Sequence, residues 1–358
     1  VPIAEQQLLE AAKGGDEQAF AQLVEPHRGQ LHALCYRMLG STHDADDALQ
    51  DAMLRAWKAL PGFEGRSQLS SWLYRIATNV CLNQIAKRPK RVLPVDYGGP
   101  SDDPHDAAAP PTLESIWIEP YPDELLGDDI EGPLAPEAHY EQRESLELAF
   151  IAALQHLPPN QRAALIMSEV LGFSATETAK ALETSTASIN SALQRARKLV
   201  EEKGPRESQQ AALRALGDDE LNDVVERYMQ AMESADVDGL ISMLSEDASW
   251  SMPPQSGWFS GRDAIAGFLA LNPFQYFMWK LVPIRVNGQA AVGCYSWDEP
   301  RGVYVAHAIN VLSLRGSEIC EIVTFLDVTR RGIDDPRASN FYEEKVFEPF
   351  GIPNELPA

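Results

Sequence analysis

Trp72, Arg75, Asn79 and Asn83 recur at helical spacing and fall in one narrow sector of the segment 67–87. They lie opposite Leu73, Ile76, Ala77 and Val80, the apolar face of the same predicted helix. An aromatic ring, a guanidinium and two carboxamides on one strip suit an unstacked nucleic-acid strand. The ring stacks on a base, the cation meets phosphate and the amides reach base edges. Lys87, Arg88, Lys90 and Arg91 add a basic end. Trp72 taken singly reads as a packing residue; the sector taken together reads as a strand-binding strip.

A second constellation spans 174–203. Ser174 to Leu182 forms a short predicted helix, a polar turn follows, and Ser185 opens a longer helix with a basic end. The small polar side chains Thr186, Ser188, Asn190 and Ser191 at its front can enter a major groove. Arg195, Arg197 and Lys198 can meet phosphates. The competing reading is an ordinary helical hairpin with a solvated polar face.

A third set lies on predicted strands: Tyr295, Tyr304, His307, Asn310 and Asp327, with Trp250, Trp258 and Phe325 as apolar walls of a candidate pocket. An aspartate beside a tyrosine or histidine could move protons. The preferred alternative is a satisfied core histidine and a solvent-facing Asp327. No pairing can be read across non-adjacent strands, so no catalytic residue is assigned.

These groups sit on elements of two kinds. Residues 1–91 read as all helix. Asp16 starts a helix, Pro26 interrupts it, Gly40 stops the continuation, and Thr42 caps the next helix ahead of Asp44, Asp46 and Asp47. Residues 92–138 are proline-rich and acidic without lasting period, and read as a linker. Its segment Ile116-Trp-Ile-Glu-Pro-Tyr-Pro-Asp123 is too aromatic for a solvated spacer and reads as a short anchor, with a partner-binding motif as the alternative. Residues 139–203 are helical again, with one helix expected over 139–157. From about 204 to 330 helices precede strand-like runs, which predicts an α+β domain with an antiparallel sheet. Residues 331–358 form a tail whose Phe347 and Phe350 look like docking groups.

The chain has 358 residues and a net charge of −23, unevenly spread. Residues 1–91 and 139–203 are near neutral, while 92–138 has no basic side chain and 204–358 is strongly acidic. DNA contact needs only a local basic surface, so the overall charge excludes no nucleic-acid role for the two helical blocks. Cys35, Cys81, Cys294 and Cys320 match no metal-ligand or paired spacing and read as buried free thiols. No metal and no cofactor is expected. No run of about 18 apolar residues exists, and the start lacks a signal pattern. The expectation is a cytoplasmic protein without a membrane partner.

Asp44 through Trp57, Phe63-Glu-Gly-Arg-Ser67 and Trp72-Leu-Tyr-Arg-Ile-Ala-Thr-Asn79 together resemble the first conserved region of bacterial sigma factors of the extracytoplasmic-function group. Leu157-Pro-Pro-Asn-Gln-Arg162 through Arg197 resembles their second region, in matching order and separation. The resemblance implies that Asp44, Asp47, Gln50 and Asp51 dock on the β′ clamp of core RNA polymerase, with the β flap as a further partner. It implies that the Phe63–Ser67 loop with Trp72, Arg75 and Asn79 captures the melted promoter element. The helix from Ser185 would read the upstream element. Family recognition helices commonly carry basic residues where this chain has Asn190 and Ala192, which implies weaker phosphate attraction or altered base preference.

The block after 204 resembles the cone-shaped α+β fold of SnoaL-type cyclases and ketosteroid isomerase, through 218–233, Asp236-Val-Asp-Gly-Leu240 and Gly261-Arg-Asp-Ala-Ile265. The Trp117–Asp123 and Phe350-Gly-Ile-Pro353 segments resemble those of sigma factors carrying such an extension. The expected architecture is two all-α domains, the second with a helix–turn–helix, plus a SnoaL-like α+β cone. The expected function is a sigma factor modulated in cis by the cone, which takes a small ligand as a candidate partner and is not an enzyme. Competing readings are a cyclase or isomerase with a regulatory DNA-binding part, and a ligand-responsive helix–turn–helix repressor.

Overall fold

The computed structural model describes residues 3–65, 67–108, 116–126, 143–204, 208–271, 273–326 and 347–358. Two compact units emerge, one from 1–90, 125–145 and 149–204, the other from 91–124, 146–148 and 205–358.

The first unit is helical. Its N-terminal part comprises α1 (Ile3–Lys13), α2 (Glu17–Val24), α3 (Arg28–Leu39), α4 (Thr42–Ala59) and α5 (Leu69–Ile85). Asp16 caps α2 by accepting from the Gln18 and Ala19 N–H groups. Pro26 converts the continuation into a 3-10 turn, and Gly40 closes α3 at φ 72°, where a Cβ would be strained. Ser41 rather than Thr42 caps α4, and α5 begins two residues beyond Ser67. Leu31, Leu34, Cys35 and Met38 of α3 are buried where it packs on α4 and α5.

The remainder of this unit holds α7 (Leu148–Gln155), α8 (Pro159–Leu165), α9 (Ala175–Ala181) and α10 (Thr186–Lys203), α6 (Pro94–Tyr97) belonging to the second unit. The helix expected over 139–157 is shorter, because 145 and 146 form a turn, while 127–142 lie outside the described residues. Arg162 on α8 is buried and stitches the two helical groups together. Its guanidinium donates to the Met38 carbonyl, the Gln155 side chain and the Leu157 carbonyl. Burial pulls its pKa down to about 10. The Tyr74 ring meets Phe173 edge-on at 5.9 Å.

In the second unit, α11 (Gln209–Leu216), α12 (Asp218–Glu233) and α13 (Val237–Ser242) precede the strands β3 (Leu244–Ser251), β4 (Trp258–Ser260), β5 (Trp279–Val286), β6 (Gln289–Asp298), β7 (Val303–Arg315) and β8 (Glu318–Leu326). Helices α14 (Arg262–Leu271) and α15 (Pro273–Tyr276) lie between β4 and β5. Sheet order is β4-β3-β8-β7-β6-β5. The antiparallel expectation fails at one pair: β3 runs parallel to β8, because the chain crosses from β4 at one edge to β5 at the other and returns through β6 and β7 to β8 beside β3. Register shifts at Cys294/Tyr295 and Ser313/Leu314 bend the long strands. The sheet curls around Tyr228, Leu240, Phe259 and Phe268.

The stretch read as a linker is partly structural. Residues 91–124 belong to the second unit, where β1 (Arg91–Val92) pairs in parallel with β2 (Ile116–Trp117). Trp117, Ile118 and Tyr121 are buried, in line with the anchor reading. Tyr121 and Asn287 exchange two hydrogen bonds of 2.8 Å, and Asp123 accepts from the Gly288 N–H. Asn287 Nδ2 also donates to the Leu146 carbonyl, and the Leu148 N–H donates to Gln289 Oε1. One hairpin turn between β5 and β6 therefore grips the chain at two places. The tail joins the same unit, with Phe347 and Phe350 buried and β9 (Glu355–Pro357) paired with β7.

Candidate functional site

Helix α4 presents Asp46, Asp47, Gln50 and Leu54 to solvent at helical spacing. Asp51 is half-exposed and paired with Arg55 at 2.8 Å. Asp44 departs from the expected docking set. It is buried and ion-paired with Arg88, so it has no accessible carboxylate to offer a partner. The same contact takes Arg88 away from the free basic end. Beside the acids lies a groove of about 600 Å³, lined by Phe20, Met53, Leu54 and Trp57 together with the charged Glu17 and Arg28. The only sequence signal for it was apolar spacing within α4, since the facing Phe20 comes from α2.

Along α5, Arg75 and Asn83 are exposed and Asn79 is half-exposed. Trp72 is a correction: it is 8% exposed and packs against Phe63, ring centroids 5.0 Å apart, so neither ring stands open for stacking. Ser67 and Lys87 are exposed. Arg91 is buried in the second unit, donating to the Trp117 carbonyl and to Glu119, and contributes no surface charge.

The helix–turn–helix consists of α9 and α10. Ser174 and Glu177 form a reciprocal capping box at the start of α9, and Ser185 caps α10 through the Ser188 N–H. The hydrogen bonds from Ser174 hold the Glu177 carboxyl below its usual range. Thr186, Ser188, Asn190, Ser191, Arg195 and Arg197 are all exposed, whereas Ile189, Ala192, Leu193 and Ala196 are buried. Ala192 therefore faces the core and offers no position from which a basic residue could reach phosphate. Arg197 pairs with Glu169 across the surface.

The cone encloses a cavity of about 210 Å³. Trp250, His307 and Asn310 line it, as expected; Trp279, Phe277, Gln255 and Thr324 were not foreseen. Three expected pocket residues, the polar Tyr295 and the walls Trp258 and Phe325, lie elsewhere. Tyr295 sits under the tail, against Phe347 and donating to the Pro353 carbonyl, and burial pushes its pKa up. Trp258 donates to the Gly98 carbonyl, and Phe325 is buried away from the lining. Tyr304 stacks edge-on with Trp297, and Asp327 lies outside the described residues. His307 contacts Ser296 at 3.1 Å between two aromatic edges, Phe277 and Trp279. Among the described lining residues none is a carboxylate. No group of metal-ligating side chains and no helix long and apolar enough to cross a membrane occurs among the described residues.

Family models match in three places: Sigma-70 region 2 over 23–91, Sigma-70 region 4 over 147–200 and a SnoaL-like domain over 225–322. The ECF RNA polymerase sigma factor SigG of Mycobacterium tuberculosis is 39% identical over 342 residues, spanning 94% of this chain and 85% of that protein. SigM, an ECF RNA polymerase sigma factor of the same species, is 32% identical over 193 residues, spanning 53% of this chain and 80% of its own length. The crystal structure of Mycobacterium tuberculosis extracytoplasmic function sigma factor SigJ shares the fold at TM-score 0.52 and 22% identity, covering 84% of this chain and 93% of that one.

Proposed function

The chain belongs to the extracytoplasmic-function RNA polymerase sigma factors and carries a SnoaL-like domain behind its two sigma regions, and from that premise we propose that it recruits core polymerase to promoters in the cytoplasm under control of the cone. Docking on the β′ clamp falls to Asp47, Gln50 and Asp51 together with the groove beside Leu54. Arg75, Asn79 and Asn83 meet the opened strand. Thr186, Ser188, Asn190 and Ser191 enter the upstream major groove, with Arg195 and Arg197 on phosphates and the β flap holding this region.

The observation that best supports the reading is the pairing of an exposed polar front on α10 with an exposed acidic face on α4. A repressor has use for the first and none for the second. The cone acts in cis in this reading rather than as an enzyme, which is supported by its fusion behind two sigma regions and by the grip of its Asn287 turn on chain segments ahead of the second region. Run-off transcription with purified core polymerase over a promoter library tests the proposal. Stimulation on at least one template is expected, and none on any template overturns it.

A further inference from the structure

The walls of the cone cavity are aromatic: Trp250, Phe268, Phe277 and Trp279. Two amide side chains interrupt them. Gln255 is 3% exposed and Asn310 2%, and the carbonyl oxygen of each meets no donor among the described residues. A buried acceptor left without a donor is costly, so an interior that keeps two of them on one cavity is organised to receive donors. Asn310 is held in place by its own Nδ2, which donates to the buried Tyr228 hydroxyl at 2.8 Å. Trp250 is fixed in the same way by its indole N–H on Thr324 at 2.8 Å. Asn310 and Trp250 are thus pre-set rather than free to turn away.

Charge and size narrow the occupant. Among the described lining residues there is no Asp, Glu, Lys or Arg, and the His307 imidazole is packed between Phe277 and Trp279 with a contact to Ser296. An ionic guest would lose its water and meet no carboxylate, ammonium or guanidinium in return. An apolar cavity of about 150 Å³ holds benzene, so the 210 Å³ here suits a guest about one ring larger. The lining includes Tyr276, which is 68% exposed and stands at the mouth on the short helix α15.

We infer that the cone binds a neutral organic molecule of one or two rings bearing hydrogen-bond donors, its ring held by the aromatic walls and its donors given to Gln255 Oε1 and Asn310 Oδ1. This stands independently of the transcription reading, because binding is measured without polymerase or DNA.

The test uses the full-length protein with 2-naphthol as probe, and naphthalene and 2-naphthoate as comparators. Binding is read by calorimetry and by quenching of tryptophan emission from Trp250 and Trp279. One hydrogen bond to a buried acceptor is worth roughly a three- to tenfold preference, so 2-naphthol should bind tighter than naphthalene by about that factor. The anionic 2-naphthoate should bind weakest. Gln255→Met keeps side-chain length and removes the acceptor, and should shrink the preference for 2-naphthol. Ala308→Leu fills part of the cavity and should weaken both neutral probes. Gln255 lies in a loop, so its variant keeps the test decisive should the strand variant fail to fold. Equal affinity for 2-naphthol and naphthalene, affinities untouched by Gln255→Met, or no binding up to the solubility limit each overturn the inference.

Discussion

Asp44 and Asp47 sit one turn apart on α4 and should fail differently when replaced. Asp44→Ala removes a buried partner of Arg88, which is itself 42% exposed and can return to water. Its cost should be about 1–2 kcal/mol of stability, read as a lowered Tm with polymerase affinity per folded molecule unchanged. Asp47→Lys with Asp51→Lys should leave Tm nearly unmoved and weaken core binding, most visibly at low salt where exposed charges are least screened. Similarly, Asn79→Ala and Arg75→Ala should slow promoter opening, followed by permanganate reactivity, without loss of core affinity. Helical spacing made the exposed acids and amides legible. Spacing could not separate Asp44 from Asp47, because the depth of Asp44 depends on Arg88, brought over from the chain just beyond α5. Trp72 is lost from the strip for a similar reason: it lies in the same helical sector as Arg75 and Asn79, but Phe63 folds back over it. In the cone, the register shift at Cys294/Tyr295 decides which side chain looks inward, and no local pattern announces it.

At the scale of elements, caps and turns were the most legible features, since each is a contact within four residues. Ser174 and Ser185 begin the two helices of the DNA-reading pair, and Gly40 ends α3. The capping box carries a pH dependence. Because the folded Glu177 carboxyl titrates below its unfolded value, its contribution is present above the ordinary carboxylate range and is lost as pH falls through the lowered folded value. Amide exchange over 174–178, corrected for intrinsic pH dependence, should lose protection as the pH falls below the ordinary carboxylate range. Glu177→Gln should flatten that response. The hairpin turn between β5 and β6 makes a second element-scale prediction. Asn287 and Gly288 both have positive φ, so Asn287→Gly keeps the turn and removes only the side-chain bonds to Tyr121 and Leu146. Exchange over 118–123 and 146–148 should rise while strands β6 to β8 stay protected. These grips were invisible in the sequence because they join residues more than 140 positions apart.

For the whole molecule, the compact units break near 91 and near 204, where composition also changes, but 91–124 and 146–148 join the second unit. Many prolines, many acids and no lasting period read as a spacer, whereas three buried apolar side chains, Trp117, Ile118 and Tyr121, recruit the stretch into the second unit. A truncation after Lys203 should therefore expose those three residues and aggregate or bind a hydrophobic dye. Loss of activity in such a fragment would report orphaned surface as much as lost control. Each unit is assembled from three separate stretches of chain, and this bears on how such proteins can exchange parts. A cone grafted from a relative at a single junction near 204 would meet foreign partners at Tyr121, Asp123 and Leu148. A chimera that also carries 91–124 and 146–148 from the donor brings its own counterparts for the Asn287 turn. The heritable module is thus the cone with its two upstream clasps, and three-segment chimeras should melt in one cooperative transition where single-junction ones do not.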